Sequence, residues 1–142
     1  MAKYRLKALA SNVVPEGAYA LKVASLKEET FESGSWGFKA RYVVAAATDP
    51  DLIGKSVFEN LIVHDKDGGI SKGIFKPAQL LTAVHGEDIE VDLEDRQEVV
   101  AFMDATVDKM FVADIELLAK DEKQGLPERN NIKSYAPYQE AA

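Results

Sequence analysis

Apolar and polar residues alternate along several stretches of the chain, and this alternation predicts β-strands. The clearest case is residues 38–47, with the sequence FKARYVVAAA. The apolar residues on one face of this segment are Phe38, Ala40, Tyr42 and Val44. Successive side chains of a strand point to opposite faces. We therefore expect this set to face the core, and Lys39 and Arg41 to lie side by side on the outside.

Four other segments have strand-like patterns: residues 18–29, 56–65, 108–121 and 129–137. Segment 56–65 has large apolar residues on both faces, so the sequence does not determine which face is buried. In the last segment we expect Ile132 to point inward. The residues that alternate with Ile132, and that would then point outward together, are Arg129, Asn131, Lys133 and Tyr135.

Two further segments are predicted to be helical. Residues 70–86 contain Pro77, which suits a first turn, and Gly86, which suits the position just past the last turn. A second helix is expected to begin near Asp95, because Asp95 and Glu98 have capping-box spacing. The apolar stripe of this second helix is Val99, Phe102 and Met103.

The resulting order is strand, strand, strand, helix, strand, strand, which is the order of the OB-fold. We predict a mainly β protein with one or two helices, built as a five-stranded OB-like Greek-key barrel with a helical insertion between strands three and four. Another small barrel or an α+β sandwich would have the same order. The predicted domain covers residues 15–138, between an N-terminal arm at 1–14 and a short tail at 139–142.

The composition excludes several classes of protein. The chain has 142 residues, the length of one ordinary domain, and no cysteine. A disulfide framework, a thiolate zinc site and a cysteine nucleophile are therefore excluded. No apolar run approaches a membrane span, and the N-terminus lacks the pattern of a secretory signal. We expect a cytoplasmic protein with no membrane partner.

The negative charge is concentrated in one segment. The net charge is −7, but residues 85–104 hold eight of the 24 acidic residues and one of the 17 basic ones. The remaining 16 acids and 16 bases balance, so the rest of the surface can carry a basic face. The acidic segment is expected to be a solvated helix surface. The alternative is a negative patch that binds a protein partner or keeps nucleic acid off that side.

No catalytic motif is present. The sequence has no GxGxxG and no P-loop, and neither His64 nor His85 has a Ser and an Asp in a hydrolase context. The stretch HDKDGG at 64–69 partly resembles a calcium loop, but its glycine is misplaced and Lys76 occupies the twelfth position. We expect a plain turn there, no catalytic residues, no metal, no cofactor and no enzymatic activity. A metal-dependent enzyme that uses the carboxylates near 87–95 ranks last.

Cations and aromatic residues converge on one expected groove. Single-stranded nucleic acid is bound by cations that track the phosphates and by flat side chains that stack on bases. In OB-folds the groove is formed by strands two and three and by two neighbouring loops. The candidate residues for nucleic-acid binding are Lys22, Trp36, Lys39, Arg41, Phe58, Arg129, Asn131, Lys133 and Tyr135. Each has an ordinary structural alternative; a lone Trp, for example, is more often a core residue.

Four motifs resemble those of small phage-encoded single-stranded-DNA-binding proteins, a family first catalogued as a domain of unknown function. They are VPEGAYALKV at 14–23, SGSWGFKARYVV at 33–44, GKSVFENLIV at 54–63 and ERNNIKSYAP at 128–137. The resemblance implies an OB-fold and a role in phage DNA replication or recombination, in the cytoplasm of the host cell.

One departure from typical single-stranded-DNA-binding proteins concerns partner recruitment. Such proteins often end in an acidic tail, whereas this chain ends in SYAPYQEAA, with a single acid. Either the segment 85–104 recruits a replication or recombination protein instead, or such recruitment is absent. A homodimer is also left open.

We therefore hypothesise a sequence-tolerant single-stranded-DNA-binding protein. The alternative is a phage structural or adaptor protein whose barrel binds protein partners, which the acidic segment and the low isoelectric point favour.

Overall fold

The computed structural model describes residues 13–139, which form five antiparallel strands and two α-helices. The strands are β1 (Gly17–Thr30), β2 (Trp36–Ala46), β3 (Ser56–His64), β4 (Met110–Leu118) and β5 (Arg129–Pro137). The helices are α1 (Phe75–His85) and α2 (Arg96–Thr106), and short 3-10 turns occupy Pro50–Leu52 and Lys72–Ile74. Residues 1–12 of the predicted arm and 140–142 of the predicted tail lie outside the described residues.

The five strands form one sheet in the order β3-β2-β1-β4-β5. The long strand β1 joins the two halves, because Gly17–Lys22 pair with β4 and Ala20–Thr30 pair with β2. Its register shifts near Ala20 and Val23, where the strand bends. Both helices lie between β3 and β4 in the chain. This arrangement confirms the predicted mainly β, OB-like fold.

The alternation predicted for β2 is confirmed, because Phe38, Ala40, Tyr42 and Val44 are all buried. The open question of β3 is also answered: its buried apolar residues are Val57, Leu61 and Val63. Phe58 points to the opposite face and is 69% exposed. Gly37 is required where β2 passes β3, since a Cβ atom there would lie 2.0 Å from the carbonyl oxygen of Leu61.

The helix ends follow the sequence signals. Gly86 ends α1 with a φ of 103°, a conformation that favours glycine. Asp95 caps α2, accepting hydrogen bonds from the backbone N–H groups of Gln97 and Glu98. The Glu98 carboxylate accepts instead from the backbone N–H of Asp92, outside the reciprocal capping box. Among residues 13–139 no helix is long and apolar enough to cross a membrane.

The two edge strands, β3 and β5, approach each other but are not neighbours in the hydrogen-bonded sheet. We call the gap between them the β3–β5 seam. The Glu59 carboxylate of β3, only 6% exposed, lies in this seam. It accepts a hydrogen bond from the hydroxyl of Tyr135 on β5, and its Oε2 accepts one of 2.7 Å from the hydroxyl of Tyr42 on β2. One carboxylate thus joins three strands.

Lys76, from the first turn of α1, completes this network. Its Nζ lies 3.2 Å from Glu59 Oε1. The same ammonium donates to Asn131 Oδ1 at 3.0 Å and to the carbonyl oxygen of Ile132 at 3.3 Å, both on β5. All three N–H donors of Lys76 are therefore used. The seam is bridged by side chains of β3, α1 and β5 in place of a main-chain ladder.

Replacing Glu59 by glutamine is expected to destabilise the fold strongly. The substitution leaves the ammonium of Lys76 without its counter-charge in a largely buried site, which typically costs about 3–5 kcal/mol. Urea unfolding of both proteins measures the loss. Glu122→Gln is the matched control, because the Lys120–Glu122 pair is exposed, and it should change the free energy of unfolding by less than about 1 kcal/mol. Equal, small losses in both variants would contradict the structural role of Glu59.

Candidate nucleic-acid interface

The outer face of β1, β2 and β3 carries a grid of cations. Cross-strand pairing places Lys27 of β1 opposite Lys39 of β2, and Lys39 opposite Asn60 of β3. The next row consists of Ser25, Arg41 and Phe58. The third consists of Lys22, Val43 and Ser56. Directly opposed residues have Cβ atoms about 4.5–5.5 Å apart, so these rows form one continuous surface, which we call the cationic face.

Lys27 belongs to this face although its spacing in the sequence argues against it. Lys22 and Lys27 are five residues apart, and in a regular strand they would point to opposite sides. The register of β1 shifts between Val23 and Ser25, which makes Ala24 an extra residue. Both lysines are therefore exposed on the same side. The candidate residues chosen from the sequence do not include Lys27.

The charges of the cationic face are not neutralised within the described part of the chain. Among residues 13–139, no ion pair involves Lys27, Lys39 or Arg41, and Arg41 only donates from Nε to the Ser56 hydroxyl at 3.1 Å. Like charges directly opposite each other on a sheet are destabilising. The Lys27–Lys39 pair therefore costs the isolated protein stability, and a bound polyanion would remove that cost.

Lys22, at the end of the cationic face, has a carboxylate beside it. Its Nζ lies 3.7 Å from Asp108 Oδ1, and the two side chains are 50% and 75% exposed. Asp108 also has a φ of 71°, the only positive value among the described non-glycine residues. An exposed pair of this kind is weak, so Lys22 remains available to a phosphate.

Phe58 is the aromatic residue of the cationic face. It is the most exposed large apolar side chain among the described residues and lies directly opposite Arg41. Burying it against a flat ligand would remove a large apolar area from water. The predicted site residues Lys22, Lys39, Arg41 and Phe58 are therefore brought together on one surface.

The predicted start of the second strand at residue 38 is wrong, because the strand already includes Trp36. Trp36 is the first residue of β2 and is 1% exposed, and its indole N–H donates to Glu28 Oε2 at 2.9 Å. The ring packs against His64, with centroids 4.9 Å apart, and the guanidinium of Arg96 lies 4.7 Å above it. An indole covered in this way offers no face to a base. Alternate residues of a strand share a face, so Trp36, two residues before the buried Phe38, is expected on the core side.

The expected outward orientation of Tyr135 is also wrong. Ile132 pairs with Ile115 and Ser134 pairs with Asp114, so Lys133 is an extra residue in β5. This bulge reverses the alternation and turns Tyr135 towards the core side, where it stacks on Phe111. Burial and the neighbouring charge of Glu59 raise the pKa of Tyr135 far above its ordinary value. Burial and Glu59 likewise raise the pKa of Tyr42.

Asn131 and Lys133 have different environments. The Asn131 side chain accepts from Lys76 and donates from Nδ2 to Glu116 Oε1 at 2.8 Å, so its amide is already engaged. Lys133 is exposed at the bulge and is not among the residues that line the cleft described next. Asn131 therefore supports the seam, and Lys133 is exposed outside the cleft.

A cleft of about 380 Å³ opens at the β3–β5 seam. Phe58, Glu59 and Asn60 line it from β3, and Lys76 lines it from α1. The residues that line it from β5 are Arg129, Asn130, Asn131 and Ile132. Because Phe58 and Asn60 belong to both, the cleft adjoins the cationic face, and Arg129 lines the same cleft as the predicted residue Phe58.

Residues 87–95 of the acidic segment connect α1 to α2. Ile89, Val91 and Leu93 pack against the core, while the acids that alternate with them are exposed. The segment is tied down by the ring of His64, whose Nε2 lies 2.6 Å from the carbonyl oxygen of Leu93. The acids are solvated as expected, but residues 87–95 connect the two helices, so the expectation that they form a helix surface is wrong.

Within residues 13–139 no group of three or more His, Asp or Glu side chains is placed to hold a metal ion. At the HDKDGG stretch, Asp65 Oδ1 accepts hydrogen bonds from the backbone N–H groups of Asp67 and Gly69, which forms the expected turn. No protein-family model matches the sequence, and no curated protein matches it. The resemblance to phage single-stranded-DNA-binding proteins is therefore carried by the sequence motifs and stays a prediction.

Replacing Tyr135 by phenylalanine is expected to change how stability depends on pH. Because the pKa of Tyr135 is raised in the folded state, the phenol ionises first in the unfolded chain. The contribution of the protonated phenol to the free energy of unfolding is complete below about pH 10. It is lost as the pH rises further, by about 1.4 kcal/mol per pH unit. Urea unfolding should show that the native protein is more stable than Tyr135→Phe at pH 7. The difference in the free energy of unfolding between the two proteins should be smaller at pH 11. A difference that stays constant between the two pH values would contradict this environment.

Proposed function

We propose that this protein binds single-stranded DNA on the cationic face and that Phe58 stacks on an exposed base. The observation that carries the proposal is the combination on one surface of Lys27, Lys39 and Arg41, without ion-pair partners in residues 13–139, with a 69% exposed Phe58. Cations beside an exposed aromatic ring are the two elements that sequence-tolerant binding of single strands requires.

Phosphate contacts supply most of the affinity in this proposal. Each lysine or arginine that neutralises a phosphate releases condensed counterions into solution. Stacking on Phe58 adds about 1–3 kcal/mol for the base involved, and it does not depend on which base is stacked. A duplex keeps its bases inside the stack, so Phe58 favours the single strand.

The charge distribution is compatible with an acidic protein that binds DNA. The acids of segment 87–95 are exposed on the connection between the two helices, whereas the residues of the cationic face are on β1, β2 and β3. Their field repels DNA from the helical side, which leaves the strands as the favourable approach. This separation explains how a chain of net charge −7 can hold a polyanion.

The proposed role is protection of unwound strands during phage DNA replication or recombination, in the host cytoplasm, by binding alone and without catalysis. The sequence motifs that resemble phage single-stranded-DNA-binding proteins support this role. The acidic segment is the proposed contact for a replication or recombination protein, because most of its carboxylates are exposed and would attract a basic surface.

A structural or adaptor role is the second candidate, and the same acidic surface favours it. This role requires association with protein and no affinity for nucleic acid. Size-exclusion chromatography with and without oligo-dT separates the two candidates. Self-assembly without any DNA binding would favour the adaptor.

Binding of fluorescent oligo-dT is expected to weaken steadily with salt. If Lys22, Lys27, Lys39 and Arg41 each neutralise one phosphate, a plot of log affinity against log salt should have a slope of about −3. Lys39→Gln should make that slope shallower by about 0.7. Lys72→Gln, which removes an exposed charge outside the cationic face, should leave the slope unchanged. No binding at low salt, or stronger binding to a duplex of the same length, would refute the proposed function.

Replacing Phe58 by alanine is expected to weaken binding of oligo-dT by about 1–3 kcal/mol while preserving the fold. The ring is mostly exposed, so its loss removes little core packing. Phe75→Ala is the matched control, because Phe75 is 56% exposed but lies on α1. Anisotropy titrations measure affinity, and urea unfolding checks stability. Equal affinity of the two variants for oligo-dT would show that Phe58 does not contact the DNA.

A further inference from the structure

The cleft at the β3–β5 seam has a floor whose polar groups already have partners. Glu59 accepts from two tyrosines and from Lys76, and all three donors of Lys76 are used. Asn130 donates to the carbonyl oxygens of Val14 and Glu116 and accepts from the backbone N–H of Val14. These groups shape the cleft, and a ligand would gain few hydrogen bonds from them.

The rim of the cleft is different, because it offers unused donors. Arg129 donates from Nη1 to the carbonyl oxygen of Pro127 at 3.3 Å. No other hydrogen bond or ion pair of its guanidinium occurs within residues 13–139, which leaves the Nε and Nη2 edge free. That edge presents two parallel N–H groups, a fork suited to two adjacent acceptors.

The cleft also lies on the path of a strand bound to the cationic face. Phe58 is opposite Arg41, and Asn60 is opposite Lys39, so the β3 side of the cleft is the last column of the cationic grid. A base stacked on Phe58 would have Arg129 across the seam from it. The volume of about 380 Å³ lies within the roughly 300–1,000 Å³ typical of small-ligand sites.

We propose that this cleft receives one base of the bound strand and prefers guanine, with Arg129 as the residue that reads it. Guanine presents two adjacent acceptors, N7 and O6, to which an arginine fork donates two hydrogen bonds. Adenine places an amino donor beside N7, which would face the guanidinium donors, and thymine has only isolated carbonyls. The protein is then sequence-tolerant along the cationic face and selective at this one position. This inference rests on the proposed function.

The test compares oligo-dT with the same oligomer carrying a single central guanine or a single central adenine. The native protein should bind the guanine oligomer at least about fivefold more tightly than oligo-dT, the lower end of the discrimination given by a bidentate arginine contact. The adenine oligomer should show no such gain. The readout is the ratio of dissociation constants for one protein, so a general change of affinity does not affect it.

Arg129→Lys separates base reading from phosphate binding, because it keeps the charge and removes the fork. The guanine ratio should fall in this variant, because a lysine ammonium donates to N7 and O6 without the fixed geometry of the fork. In the control Lys27→Gln, all oligomers should bind more weakly with the ratio retained.

Three results would overturn the inference while the proposed function stands: a ratio of one in the native protein, a preference for adenine, or a ratio retained in Arg129→Lys. Absence of binding to every oligomer would overturn both.

Discussion

The buried charge of Glu59 is the interaction on which the rest of this structure depends. A carboxylate removed from water is unfavourable unless charged and hydrogen-bonded partners surround it. Here those partners come from three other elements: Tyr42 from β2, Lys76 from α1 and Tyr135 from β5. Satisfying one charge therefore fixes how the two edge strands and the first helix sit relative to each other. Because side chains bridge the seam, the two backbones stay apart and a cleft remains between them.

Much of the fold could be predicted from the sequence, because local rules and tertiary packing agree over most of the chain. The alternation in β2 gave the correct orientation of Lys39 and Arg41, and Gly86 and Asp95 marked helix ends that the structure confirms. In β3 the sequence could not show which face is buried, because Phe58 is as apolar as the residues on the buried face. Only the pairing with β2 decides that Phe58 lies outside.

Two of the errors in the candidate site, those at Tyr135 and Lys27, have one cause, which is that a single extra residue changes the alternation of a strand. The bulge at Lys133 turns Tyr135 inward, and the extra residue Ala24 brings Lys27 onto the cationic face. A bulge depends on the partner strand and leaves no mark in a single sequence. Asn131 illustrates a different limit, because its engagement by Lys76 joins residues 55 positions apart. For Trp36 the sequence pattern is sufficient to predict burial, because the alternation that buries Phe38 also buries the residue two positions before it.

The surroundings of Trp36 give this protein an internal optical probe. The indole lies between the ring of His64 and the guanidinium of Arg96, the first residue of α2. His64 in turn contacts the backbone of the acidic segment at Leu93. The emission of this single tryptophan therefore reports how the helical layer sits on the barrel, and it is insulated from ligands on the outer strands. A protein docked on the acidic segment would thus alter the Trp36 emission, whereas a ligand on the outer strands would leave that emission unchanged.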